Sequence, residues 1–398
     1  MHLTKHEEKM LGGDIGEVAQ RSLRLLVRLG EIYGADKMIP VGSVQVAGVS
    51  YKSLGDPGLE FLEDIAGKGA KVKVLTYLNP AGMDMESWKE IGFPEKFARK
   101  QIRVMEAFRK MGIVVTATCT PYLAGNLPRF GESIAWSESS AVSFSNSVIG
   151  ARTNREGGPS ALAAAICGVT PNYGLHLDGN RKPDMVIEVG TDLEFSADYG
   201  ALGYHVGKLV KNKIPYFIGL KNPNTDQLKA LGAAMAASGA VALYHAEGLT
   251  PEARDFDVSK LEKISVGKKD LKATFDKLNT GELPDIVILG CPHASLCEIS
   301  SLADKLAGKK LKRPIWICTS RVMKEAANRM GFTGTIERAG GRVVADTCMV
   351  VSPIEEMGFG TVGVDSGKAA NYLPGFCNQK VVFHNVDELV RRCLLETD

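Results

Sequence analysis

Short apolar, β-branched runs alternate with longer stretches whose apolar residues recur every three to four positions, almost from one end of the chain to the other. That alternation predicts parallel strands joined by crossover helices, an α/β fold with parallel or mixed sheets. The strand pattern falls at 71–78, 113–118, 184–189, 214–220, 240–245, 285–289, 313–318, 342–346 and 381–384, and the helical pattern at 93–111, 160–167, 199–210, 224–237, 294–307, 320–330 and 387–395. Two turn clusters mark the best seams: Asp178, Gly179 and Asn180 before Pro183, and Asn279, Thr280 and Gly281 before Pro284. They divide the chain into an N-terminal α/β domain (1–180), a middle α/β domain (181–280) and a C-terminal α/β domain (281–398). No repeat of solenoid length is present.

The length of 398 residues agrees with two to three domains at about 150 residues each. Hydrophobic residues at 44% and charged residues at 24% exclude global disorder. The charges nearly cancel, at +2, and form no basic stripe, so no nucleic-acid partner is expected. The most apolar long stretch, 231–244, is built from Ala and Gly and is too short for a bilayer, which predicts close helix packing and no membrane anchor. The first eight residues lack the apolar core of an export signal, so the expected location is the cytoplasm and the eight cysteines are expected to remain thiols.

Three of those thiols share a setting. The runs 113–119, 285–291 and 342–348 each read as a strand that ends in a cysteine: Cys119, Cys291 and Cys348. Ligands of open α/β sheets bind outside the carboxyl ends of the strands, so these thiols are placed to converge on one crevice. Their separations, 172 and 57 residues, exclude a local zinc finger. Taken singly, each also reads as a packed thiol, since free cysteine is among the most buried residue types. Cys318 fits the same pattern and is the reserve ligand. Cys167 and Cys393 fall in predicted helices, Cys297 on the helix after Cys291 and Cys377 in a loop, and all four read as packing residues.

Small-residue loops add anion-binding candidates, namely Gly48, Val49 and Ser50, then Asn79, Pro80 and Gly82, then Gly157, Gly158 and Ser160 at a helix start. Each alone is more simply a turn. Walker and dinucleotide glycine loops are absent, as are the His-Glu-x-x-His and Gly-x-Ser-x-Gly elements, which removes support for nucleotide, nicotinamide, zinc-protease and serine-hydrolase chemistry. The polar stretch from Glu138 and Ser139 through Asn146 to Arg152 and Arg155 carries groups that orient a small acid, and Lys368 opens a predicted helix after Gly367. A solvated loop and an exposed lysine are the bland readings of these two.

Cys119 with Pro121 and Tyr122, Glu138 with Ser139, the stretch 145–159, Gly290 with Cys291 and His293, and Asp346 with Cys348 together resemble the large subunit of the aconitase X group, a branch of the aconitase superfamily. The resemblance covers essentially the whole chain. It implies an aconitase-like multi-domain arrangement lacking the swivelling domain, and a hydro-lyase. It makes Cys119, Cys291 and Cys348 the ligands of an iron-sulfur cluster; a [4Fe-4S] cluster on three thiolates keeps one iron open to substrate oxygens. Ordinary aconitases carry two ligands as a C-x-x-C pair, and this chain has none. The resemblance further implies substrate contacts at Gly48, Val49, Ser50, Asn79, Pro80, Glu138, Ser139 and Lys368. It leaves the catalytic base to a serine on a small partner subunit that bears the swivelling domain, in a heterodimer. The separate large-subunit form is similar to the archaeal type, which implies dehydration of (R)-5-phosphomevalonate to trans-anhydromevalonate 5-phosphate in a modified mevalonate pathway. Bacterial relatives dehydrate cis-3-hydroxy-L-proline, and a non-catalytic metal-thiolate protein is a further reading.

Overall fold

Three all-parallel sheets and one two-stranded antiparallel pair make up the computed structural model, which describes residues 1–395. The first sheet runs in the order Val114–Ala117, Leu75–Leu78, Ser43–Val46, Ala135–Trp136. The second orders Lys263–Val266, Met185–Val189, Pro215–Ile218 and His245–Ala246. The third has five strands, Arg342–Ala345, Ile315–Thr319, Ile286–Leu289, Thr361–Val364 and Lys380–Phe383. The antiparallel pair joins Met38–Pro40 to Val169–Pro171.

Ile286–Leu289 and Ile315–Thr319 are buried at every position, as expected of parallel strands covered on both faces, and so read as unbroken apolar runs. The helices between strands start on local signals. Asn224 with Gln227 and Ser295 with Glu298 form reciprocal caps on Thr225–Gly239 and Leu296–Leu306. The Ala/Gly-rich stretch packs as expected: Thr225–Gly239 lies so close to Ser196–Val210 that a Cβ on Gly203 would collide with the Leu231 carbonyl. No helix among the described residues is long and apolar enough to cross a membrane.

Several local expectations need correction. Of the strand expected at 240–245 only His245 pairs, within His245–Ala246; Ala240 instead closes the preceding helix in a left-handed conformation (φ 63°), and the chain leaves it as a loop. The strand at 71–78 shortens to Leu75–Leu78. Ser43–Val46, Ala135–Trp136, Lys263–Val266 and Thr361–Val364 are strands that the sequence pattern did not predict. Cys377 ends the helix Gly367–Cys377 rather than sitting in a loop. The C-terminal domain expected at 281–398 reaches into 396–398, which lie outside the described residues.

One apolar core runs continuously through the second and third sheets and reaches Cys291 and Cys348; a separate core fills the first sheet. The first and third sheets meet through their loops. Ala81 pairs with Thr347, and its N–H donates to the Asp346 carbonyl at 2.7 Å. Alongside, the fully buried Asp84 carboxylate accepts from Arg321 at 2.6 Å, from Lys324 at 3.2 Å and from the Ala345 amide at 2.9 Å.

Candidate active site

Every strand of the first sheet delivers its carboxyl end to one cavity. Ser43–Val46 leads to Ala47, Leu75–Leu78 to Asn79 and Pro80, Val114–Ala117 to Cys119, and Ala135–Trp136 to Ser137, Glu138 and Ser139. The third sheet adds Cys291 after Ile286–Leu289 and Cys348, Val350 and Val351 after Arg342–Ala345, while Lys368 and Tyr372 come from Gly367–Cys377. The enclosed volume is about 220 Å³. This is the carboxyl-end crevice that open α/β sheets use for ligands.

Two backbone devices turn the thiols inward. Gly290 adopts φ 84°, and a Cβ there would collide with the Cys318 carbonyl oxygen, so only glycine passes the chain to Cys291. Asp346 sits at φ 65°, a conformation Asp tolerates better than most residues, with its carboxylate 2.5 Å from Arg321. The loop it begins carries Cys348.

All three thiols are buried. Burial, with the Glu138 carboxylate close by, pushes Cys119 up to about 12. Cys291 and Cys348 lie against each other, and their interaction lowers Cys348 while raising Cys291. The Cys119 sulfur also accepts the His293 N–H at 3.1 Å. Among the described residues no three His, Cys, Asp or Glu side chains stand close enough to share a single metal ion. Three buried, sulfur-only donors match the ligand chemistry of an iron-sulfur cluster.

Opposite the thiols, Lys368 donates to Glu138 and, at 3.0 Å, to Ser140 Oγ. Ser140 Oγ in turn donates to Glu138 at 2.5 Å, and the Ala141 amide donates at 2.8 Å. Burial alone would raise Glu138; the Lys368 ammonium and these donors reverse that and hold it below its ordinary value. Burial alone would likewise depress Lys368, but Glu138 raises it, so the two stand as an ion pair. Lys368 is thus buried, not the exposed lysine of the bland reading.

The cavity wall brings together Asn79, Pro80, Glu138, Ser139, Lys368 and the three cysteines. It does not include Gly48, Val49 or Ser50. Val49 is packed in the core, its carbonyl accepting from Gln101 at 3.0 Å, and Ser50 Oγ donates to the Val351 carbonyl at 2.7 Å while capping Tyr51–Gly67. Cys318 is buried within its strand and lies off the wall. Arg152 pairs with Asp178 at 2.5 Å, Arg155 donates to the Ala240 carbonyl, and Asn146 bridges Thr153 and Ala242; these three brace loops. Sequence reasoning missed Ala47, Ser137, Val350, Val351 and Tyr372. Tyr372 stands one helical turn beyond Lys368, a usable signal; Ala47 and Ser137 follow strands that the sequence pattern did not predict.

Comparison with known proteins agrees with this architecture. Family models described as the first, second and third domains of aconitase X match residues 1–179, 183–276 and 284–394. The chain belongs to the aconitase X family. A family relative in Methanocaldococcus jannaschii, named phosphomevalonate dehydratase large subunit, is 59% identical over 98% of this chain and 100% of its own length. One of the same name in Methanothermobacter thermautotrophicus is 53% identical over 98% of each. A cis-3-hydroxy-L-proline dehydratase of Pseudomonas aeruginosa is 35% identical over 96% of this chain and 68% of its own length. The crystal structure of Thermococcus kodakaraensis aconitase X in its holo-form superimposes with a TM-score of 0.93 at 51% identity, covering 99% of this chain and 100% of that one.

Proposed function

We propose that this aconitase X chain is the large subunit of an iron-sulfur hydro-lyase that dehydrates (R)-5-phosphomevalonate to trans-anhydromevalonate 5-phosphate, within a modified mevalonate pathway in the cytoplasm. The observation that carries the reading is 59% identity along 98% of the chain to a relative named for that dehydratase, against 35% to one named for cis-3-hydroxy-L-proline. The partner in this reading is a small subunit that carries the swivelling domain and a catalytic serine as base.

Cys119, Cys291 and Cys348 would hold the cluster, taken as [4Fe-4S] with one iron lacking a protein ligand. When bound, it supplies a Lewis acid that eases departure of hydroxide. The chain's own residues bind and orient. Lys368 uses two of its three N–H donors on Glu138 and Ser140, leaving one for an anionic group of the substrate. Asn79 Oδ1 is shielded from solvent without a partner among the described residues, so it can accept from a substrate hydroxyl. Val350 and Val351 line the same wall and exclude water. Any contact from Gly48, Val49 and Ser50 comes through backbone, since Gly48 has no side chain and those of Val49 and Ser50 lie off the cavity.

The test is anaerobic co-purification with the small subunit, then incubation with 5-phosphomevalonate and with cis-3-hydroxy-L-proline. Brown protein that dehydrates the first supports the reading; dehydration of the second alone overturns the substrate, and bound metal with no dehydration overturns the enzyme. Cys119→Ser should lose cluster absorbance and cut turnover by more than about a hundredfold, because even outer-shell changes cost 10–100-fold. Full activity in that variant would remove Cys119 from the ligand set.

A further inference from the structure

His293 lies behind the thiols, fully buried and off the cavity wall, so it is not placed to touch substrate. Its ring nonetheless reaches both of the other cysteine loops. Nδ1 stands 3.0 Å from Thr118 Oγ1, one residue before Cys119, and Nε2 stands 2.9 Å from the Thr347 carbonyl, one residue before Cys348. Its own backbone lies two residues beyond Cys291, with the N–H on the Cys119 sulfur and the carbonyl accepting from the buried Lys229 ammonium at 3.3 Å. A carbonyl oxygen can only accept, so Nε2 carries a proton, and in the neutral ring Nδ1 accepts from the Thr118 hydroxyl. One neutral imidazole thereby ties together three loops that arise from two different sheets.

We infer that His293 is a positioning residue that holds Cys119, Cys291 and Cys348 in one arrangement before any metal group is bound. The inference rests on the reading of those thiols as a ligand set. Three donors separated by 172 and 57 residues must be held in place together, and holding them in advance reduces the ordering cost when a group binds all three. Outer-shell partners of this kind are worth roughly 10–100-fold in metal affinity.

The experiment compares the parent protein with His293→Leu, which removes both ring hydrogen bonds. His293→Gln keeps a donor near Thr347, and His293→Asn keeps an acceptor near Thr118. In metal-free protein, iodoacetamide labelling of Cys119 and Cys348, read by mass spectrometry, should speed up in His293→Leu and less in the two amide variants. In the loaded complex, iron retained against a chelator should fall, and kcat should drop with little change in KM. Val287→Ala, a core change in the same sheet, should lower the melting temperature without altering labelling. If His293→Leu does not fold, Thr118→Val removes one tie and should speed labelling of Cys119 but not of Cys348. Unchanged labelling rates in the folded variants would overturn the inference. A parent protein that binds no iron would instead overturn the proposed function, while the metal-free labelling would still decide the role of His293.

Discussion

The ammonium of Lys368 and the carboxylate of Glu138 face each other in the cavity wall, both buried and 230 residues apart in the chain. Such a pair adds little net stability, because desolvation offsets most of the attraction, yet removing one partner strands a buried charge. Lys368→Met should therefore lower unfolding stability by about 3–5 kcal/mol in urea titrations, and pairing it with Glu138→Gln should recover most of that loss. Additive losses in the double variant would show that the two charges do not depend on each other. In the sequence, only its place after Gly367 and the resemblance to aconitase X pointed to Lys368. Its burial follows from Gly367–Cys377 starting at the cavity, which nothing local encodes.

Among the elements, the pair Ser196–Val210 and Thr225–Gly239 depends on absent side chains. Gly203, Gly207 and Gly239 let the two backbones approach, and a Cβ on any of them would collide with a backbone carbonyl of the other helix. Gly203→Ala should destabilise the protein by about 1–3 kcal/mol, as overpacking does, although alanine is the better helix former. A gain in melting temperature would mean that the helices can move apart at no cost. These two helices were legible from apolar spacing, whereas Glu17–Tyr33 and Tyr51–Gly67 were not. Very short parallel strands such as Ala135–Trp136 were not, because two residues carry no periodicity.

For the molecule as a whole, Asp84 joins the first sheet's loops to the third. Burial alone would raise its carboxyl; the amides of Ser87 and Ala345, with Arg321 and Lys324, outweigh that and hold it at about 2. Its folded value lies below the unfolded value of about 3.9, so its contribution is complete above that range and is lost as pH falls through about 2. That contribution is about 2–3 kcal/mol at neutral pH by linkage. Asp84→Asn should be less stable than the parent by about that amount at pH 7, with the gap narrowing between pH 4 and pH 2. A gap independent of pH, measured by urea unfolding across that range, would show that the charge is not what joins the sheets.

The sequence by itself determined the alternation of strands and helices and three cysteines at strand ends, since each is written in a few consecutive residues. The resemblance to aconitase X was legible from short motifs for the same reason. Tertiary structure alone decided that Cys119, from the first sheet, meets Cys291 and Cys348 from the third, that Lys368 pairs with Glu138, and that His293 ties the three loops. It also turned Val49 and Ser50 away from the cavity into packing and capping. Contacts across such separations depend on how whole sheets pack, and packing is set by surfaces that no local pattern contains.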